Sequence, residues 1–239
     1  MTILYTELAR VYHEMYLTLF DYEREFQFFH ELLERYASRS VVELGCGSGN
    51  LAPYFLEHGY EYRGVDIAPE MLKIAREVVP HAAFCQGDMR SFKLDDPVDA
   101  AIITGRSTSY LLTNEDVRNA LRCIREALRE NGFLIFDAFR AESVIVGSKT
   151  EFIHEATFGD RSYKRISRKS RNLQTGWTWN WDAEYQIDEP GKPTRIVKDS
   201  SVLRAFTEQE LRLFLTLEQF DLVDVIKDET FAFVARKRS

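Results

Sequence analysis

The chain has 239 residues, 45% of them hydrophobic and 29% charged, which suits one generous α/β domain or a domain with an insertion, and a core that needs no disulfide or metal staple. Its 38 acidic residues against 31 basic ones give a net charge of −7, which speaks against a nucleic-acid-binding face. No run approaches the ~20 apolar residues of a membrane helix, MTILYTELARVYHEMY has no secretory leader pattern, and Cys46, Cys85 and Cys123 are too scattered for a ligand cluster; reduced thiols, no metal, no membrane contact and a cytoplasmic location are expected.

Residues 6–36 read as helical. Leu8, Val11, Tyr12, Met15, Tyr16 and Leu19 recur at helical spacing, and Phe26, Phe29, Leu32, Leu33 and Tyr36 do so again after a polar break near Asp21. SVVELG (40–45) is a short apolar run ending in glycine, a buried strand, and a helix over about 50–58 follows. YRGVDI (62–67) is a second strand. APEMLKIAREVV (68–79) is a helix with Pro69 near its first position, where a missing N–H costs nothing. AAFCQGD (82–88) and VDAAIIT (98–104) are the third and fourth strands.

The clearest helix spans 113–132, with Thr113 and Asp116 as a capping box, Val117, Leu121, Ile124 and Leu128 as the apolar stripe, and Gly132 as its stop. FLIFDAF (133–139) is a fifth strand, and the alternation predicts a parallel sheet with right-handed crossovers. After about residue 141 the period changes to two, with turn signals at Gly159-Asp160, Thr175-Gly176 and Pro190-Gly191, so an antiparallel meander of about four strands is expected. A helix over 207–220, with Thr207 and Glu210 as a second capping box, then leads to LVDVIK and TFAFVAR, an antiparallel pair. The expected organisation is a helical lid over 1–36, an α/β domain over 37–140 and 203–239, and an inserted β subdomain over 141–202 that covers the substrate or joins two subunits.

ELGCGSGN (43–50) carries the first chemical signal. Glycines at 45, 47 and 49 after a strand aim backbone N–H groups at a polar ligand group from the start of a helix. The dehydrogenase fingerprint puts its third glycine one residue later, where this chain has Asn50, so a dinucleotide enzyme is disfavoured. Asp66 ends the second strand about 20 residues on, where a carboxylate accepts ribose hydroxyls. Asp88 ends the third, and Glu43 adds an acid in the loop strand. So many carboxylates repel a phosphate-bearing ligand and favour a nucleoside carrying a cation.

ELGCGSGN, GVDIAPEML and QGDMRSF in succession resemble the motifs of class I S-adenosylmethionine-dependent methyltransferases of small molecules, over about residues 40–140 and again, from RAFTEQELRLFL, over 203–236. The leading LARVYHEMYLTLFDYE is similar to the first helix of glycine/sarcosine-type and sugar N-methyltransferases. The resemblance implies a Rossmann-like, mostly parallel seven-stranded sheet with helices on both faces, the meander being inserted. It implies S-adenosylmethionine as methyl donor and S-adenosylhomocysteine as product. The implied cofactor residues are Tyr12, Glu43, Gly45, Cys46, Gly47, Gly49, Asp66, Ile67, Asp88, Met89 and Gly105. Among them Asp66 holds the ribose, Asp88 and the Met89 N–H the adenine, the backbone near Thr104-Gly105 the methionine ammonium, and Tyr12 covers the methionine carboxylate.

The acceptor is less legible. TGRSTSY puts Arg106 where many relatives have an acid, and a cation there either meets a carboxylate or is solvated. Tyr110, His154 and Trp179 are the other acceptor-site candidates; His13 and His154 lie in segments expected to fold over the pocket, and each reads more commonly as a plain surface histidine. Trp177, Trp179 and Trp181 share one strand face, as a core cover, a dimer contact or an aromatic wall for an amine. The basic run RSYKRISRKSR (161–171), with six Lys and Arg residues, reads as a solubilised edge strand. The leading reading is in-line methyl transfer to the nitrogen or oxygen of a small molecule. The alternatives are a nucleic-acid or protein methyltransferase, against which TGRSTSY and the acidity speak, and a binding protein that methylates nothing.

Overall fold

The computed structural model describes residues 2–227 and 231–238; the expected first and last residues, Met1 and Ser239, and the first residue of TFAFVAR, Thr230, lie outside them. The leading helical stretch breaks where its polarity changes. α1 (Ala9–Leu19) and α2 (Tyr22–Arg35) flank Phe20–Asp21, and the Asp21 carboxylate caps α2 by accepting the Arg24 N–H at 2.9 Å. The next elements alternate: β1 (Ser40–Leu44), α3 (Ala52–Glu57), β2 (Glu61–Asp66), α4 (Pro69–Val78), β3 (Ala83–Gln86), β4 (Val98–Ile103), α5 (Asn114–Ala127) and β5 (Leu128–Asp137). Then come β6 (Glu151–Phe158), β7 (Arg161–Arg171), β8 (Trp177–Asp188) and β9 (Arg195–Ala205), followed by α6 (Glu208–Leu217), β10 (Phe220–Lys227) and β11 (Phe231–Lys237).

The main sheet has the order β10-β11-β5-β4-β1-β2-β3, with β1, β2, β3, β4 and β5 paired in parallel and β11 antiparallel to both its neighbours. One face packs on α5 and α6 through Val117, Leu121, Ile124, Leu211 and Leu215. The other packs on α2, α3 and α4 through Phe26, Phe29, Phe55 and Leu72. Each such fully covered side chain stabilises the fold by about 1.5–3 kcal/mol. Both capping boxes form, Thr113 with Asp116 and Thr207 with Glu210.

Two local expectations give way. α5 stops at Ala127 rather than running to Gly132, because residues from Leu128 pair with β4. The left-handed residue there is Asn131, with φ 61°, while Gly132 is small because a Cβ would lie 2.9 Å from the Arg129 carbonyl oxygen. The basic run is not an edge either. It is β7, inside the antiparallel sheet β6-β7-β8-β9, and Arg165 is only 6% exposed. The three expected turns of the meander hold glycines 159, 176 and 191 at positive φ.

The inner face of β6–β9 packs on α1 through Leu8, Val11, Met15, Tyr163 and Tyr185. Arg204, 1% exposed, fixes β9 to the other domain face by donating to Asn114 Oδ1 at 2.8 Å and the Leu112 carbonyl at 3.3 Å. α1 also packs on α4 through Ala9, Met71 and Ile74. Among the described residues no helix is long and apolar enough to cross a membrane.

Candidate active site

The carboxyl ends of β1, β2, β4 and β5 open into a cavity of about 1140 Å³, roofed by α1 and α2 and closed on one side by β9. Open α/β sheets bind ligands at such an edge. The loop after β1 turns through Gly45 at φ 77° and Gly49 at φ 72°. A Cβ at Gly45 would lie 2.7 Å from Ser107 Oγ, and one at Gly49 2.8 Å from Phe84 Cζ, so the loop lies against its neighbours more closely than any side chain permits.

Asp66 closes this loop onto β2. Its two oxygens accept the Gly47 N–H and the Ala68 N–H, each at 2.8 Å. Burial raises its proton affinity and those backbone bonds oppose the rise. A carboxylate has about four acceptor sites, so lone pairs remain for a ligand's hydroxyls. Asp88 lies past the end of β3, half-exposed, and the Arg90 guanidinium grips both its oxygens, from 2.6 to 3.0 Å. That grip holds Asp88 below the usual carboxylate range.

A second group of acids surrounds the turn after β4. Glu43, 2% exposed, accepts from Tyr62 Oη at 2.6 Å and Thr104 Oγ1 at 2.8 Å. Asp137, 5% exposed at the end of β5, accepts the Arg106 N–H with both oxygens, at 2.8 and 3.0 Å. Glu25 of α2 faces Gly105 and Arg106 from across the cavity. Burial pushes Glu43 and Asp137 up to about 7. Glu25 is raised too, also by burial, with Arg106 opposing.

Aromatic rings cover the rest. Tyr12 stacks on Tyr16 with centroids 3.9 Å apart, and Tyr5 meets Tyr12 and Tyr110 edge-on at 5.3 and 5.7 Å. The Tyr5 and Tyr110 hydroxyls are hydrogen-bonded at 2.8 Å. The Arg106 guanidinium turns onto the Phe139 ring, 5.1 Å from its centroid.

The cavity therefore brings together Tyr12, Glu43, Gly45, Cys46, Gly47, Asp66, Ile67, Asp88, Met89 and Gly105, as well as Arg106 and Tyr110. Gly49 sits behind the loop as a packing residue. His154 and Trp179 are not in the cavity wall. His154 Nδ1 lies 3.2 Å from an Arg165 Nη, and as that guanidinium can only donate, the imidazole accepts; burial and Arg165 lower its pKa. Trp179, 3% exposed, packs edge-on against Phe139 as a core cover, while Trp177 stays 39% exposed. His13 is buried, not on the surface. Sequence reasoning missed Glu25, Asp137, Tyr5 and Tyr16. Asp137 ends FLIFDAF just as Asp66 ends YRGVDI, and that parallel was the available signal.

Residues 41–132 match the methyltransferase-domain family. The chain is an S-adenosylmethionine-dependent methyltransferase, and its motifs follow the class I pattern. The methyltransferase is 24% identical over 177 residues to a dTDP-3-amino-3,4,6-trideoxy-alpha-D-glucopyranose N,N-dimethyltransferase of Streptomyces venezuelae, covering 74% of this chain and 73% of that one. Its fold is that of the crystal structure of DesVI from the same organism, with a TM-score of 0.86, 22% identity and coverage of 97% and 98%. It is also that of S-adenosylmethionine-bound CalS10, an amino pentose methyltransferase from Micromonospora echinaspora, with a TM-score of 0.77, 20% identity and coverage of 91% and 92%.

The cofactor is S-adenosylmethionine, and the donor set fits it. A ribose-accepting carboxylate with free lone pairs, a glycine loop lying flat on the cavity wall, and a ring of buried acids suit a cationic nucleoside. Among the described residues no group of three or more His, Cys, Asp and Glu is arranged to hold a metal.

Proposed function

We propose that the methyltransferase methylates the amino nitrogen of a nucleotide-linked amino sugar. The observation that carries this reading is the division of the cavity. The loop after β1, Asp66 and Asp88 occupy the β1-β2-β3 side, which leaves the β4-β5 side, lined by Tyr5, Tyr110, Phe139, Glu25 and Asp137, for the acceptor. Two of the proteins it resembles are named as amino-sugar methyltransferases.

In this reading Asp66 holds the ribose, Asp88 and Met89 the adenine, and Gly105 with Thr104 and Glu43 the cationic methionine end. The bound cofactor supplies an electrophilic methyl group on a sulfonium. The chain's own residues align the acceptor nitrogen in line with that group and exclude water, which is where the rate comes from in a displacement between preformed partners. Residues 1–36 and 141–202 serve as cover over the domain formed by 37–140 and 203–239. The reading places the enzyme in the cytoplasm, on its three free cysteines, with a small-molecule rather than a nucleic-acid acceptor. It takes the outer face of β6–β9, where Ile153 and Ile196 are exposed, as the surface on which two copies pair.

The test is S-adenosylhomocysteine release with dTDP-3-amino-3,4,6-trideoxyglucose, beside the same sugar bearing hydroxyl in place of amine. Methylated product from the amine alone is expected. Turnover of the hydroxyl sugar alone, or of neither, overturns the reading.

A further inference from the structure

Three consecutive residues after β4 stand against three different carboxylates. Thr104 donates its hydroxyl to Glu43 and Arg106 its N–H to Asp137, while Glu25 of α2 faces Gly105 and Arg106, which both oppose the rise in its proton affinity. Gly105 and Arg106 are both left-handed, at φ 60° and 61°. For a non-glycine residue that conformation costs about 1–2 kcal/mol, so Arg106 is kept there by what surrounds it.

Glu25 and Asp137 both line the cavity on its acceptor side. Among the described residues neither has a salt bridge within 4 Å; Arg106, whose charge acts on both, has turned its guanidinium onto Phe139. With both acids ionised the trio carries one uncompensated negative charge. The other titratable groups nearby do not neutralise it. Glu43 on β1 and Asp66 on β2 are acids, and Tyr110 on the turn after β4 is held neutral by burial. Asp137 uses both oxygens on a single N–H, so acceptor sites remain on each. With Asp137 buried and Glu25 half-buried beside it, such a carboxylate pair is stabilised by a ligand cation.

We propose that Glu25 and Asp137 form a receptacle for the acceptor's ammonium group, and that Asp137 takes the proton that frees its nitrogen. This rests on the amine-acceptor reading above. The N–H bond of R–NH3+ breaks, its electron pair stays on nitrogen as the nucleophile, and the proton passes to Asp137 as a neutral carboxylic acid; R–NH2 plus Asp137–COOH balances R–NH3+ plus Asp137–COO−. A base suits this role when its proton affinity lies near the working pH, and burial places Asp137 at about 7. A hydroxyl acceptor brings no charge to the pair and gains nothing from it.

The experiment is isothermal titration of the S-adenosylhomocysteine-loaded protein with cyclohexylammonium against cyclohexanol, and with the amino sugar against its hydroxyl analogue, each in two buffers of different ionisation enthalpy. Wild type binds the ammonium about tenfold tighter than the alcohol, the worth of one charge-assisted contact. Asp137→Asn and Glu25→Gln each remove most of that preference while leaving the affinities for cyclohexanol and S-adenosylhomocysteine unchanged. Near pH 7 part of Asp137 is already protonated, so ammonium binding releases that fraction to the buffer; this buffer-dependent proton release disappears in Asp137→Asn and persists in Glu25→Gln. Equal binding of ammonium and alcohol by wild type, or a preference untouched in Glu25→Gln, overturns the proposal. If Asp137→Asn loses S-adenosylhomocysteine binding or melts early, Asp137 is a structural pin for Arg106 and its proton-accepting role falls, while Glu25→Gln decides the receptacle. A carboxylate-dependent ammonium preference without binding of either sugar supports the receptacle and sinks the amino-sugar reading.

Discussion

The two halves of the cavity are built differently. On the donor side, ligand-facing groups are tied over short sequence distances; Gly47 and Asp66 are 19 residues apart and share one hydrogen bond. On the acceptor side the ties are long. Arg106 meets Asp137 across 31 residues, and Tyr5 meets Tyr110 across 105. The donor half is centred on one βαβ unit, β1-α3-β2, while the acceptor half exists only when two helices, β5 and the inserted sheet have docked. A fold can keep the first and rebuild the second without disturbing its loop chemistry.

The largest test of this contrast uses protons. Glu43 rises from an ordinary 4.5 to about 7 in the folded protein. A carboxyl raised by folding contributes stability that is full below its unfolded value and lost as pH climbs through the folded one. The window is therefore about 4.5 to 7, and a shift of this size is worth on the order of 3 kcal/mol before any relaxation of the buried site. The melting temperature of the cofactor-free protein should fall across that window. Glu43→Gln should flatten the fall, as read by calorimetry in a pH series; an unchanged slope would mean that Glu43 titrates normally. Asp137 rises from 3.8 to about 7, so Asp137→Asn should flatten the fall further.

Next in size is Asp66→Ala, which removes the acceptor of two backbone N–H groups in the donor half. Affinity for S-adenosylmethionine should drop at least tenfold, about 1.4 kcal/mol, by titration calorimetry. Equal binding by wild type and variant would locate the nucleoside elsewhere. Thr113→Ala breaks a capping box remote from both halves. It should cost about 1 kcal/mol and lower the melting temperature by about 2–4 °C with cofactor affinity intact. Smallest is Asp88→Ala. Because Arg90 already grips this half-exposed carboxylate, cofactor affinity should fall only about twofold to threefold, roughly 0.5 kcal/mol. A loss as large as that of Asp66→Ala would erase the distinction between a buried ribose acid and a solvated adenine acid.

What could be read from the sequence follows the same division. The succession of strands and helices, the break near Asp21, both capping boxes and the meander's glycine turns come from local patterns of period and capping, which physical chemistry imposes over a few residues. The glycine loop and Asp66 were legible for the same reason. Gly132 misled because a glycine after a helical stripe looks like a stop, whereas here pairing with β4 claims the chain four residues earlier and glycine is required by a neighbouring carbonyl. RSYKRISRKSR misled because charge density alone does not say which neighbours a strand acquires; Arg165 is buried against Tyr16, whose hydroxyl accepts from it at 2.8 Å. His154 and Trp179 were named for their chemistry, but register decides that one meets Arg165 and the other Phe139. Glu25 could not be found in this way, since nothing in YEREFQ distinguishes it from a solvated helix acid until the turn after β4 arrives beneath it.

α1 touches the antiparallel sheet through Val11 and Met15 on one flank and α4 of the main domain through Ala9 on the other, and carries Tyr12 and Tyr16 into the cavity between them. An 11-residue helix is thus the gauge that spaces donor from acceptor. Each added residue would turn everything beyond it by about 100° and advance it about 1.5 Å. One residue inserted ahead of Tyr12 would swing its ring away from Tyr5 with every glycine of the cofactor loop still in place. The interval between Tyr5, Tyr12 and Tyr16 is therefore itself a specification, written in spacing rather than in residue type.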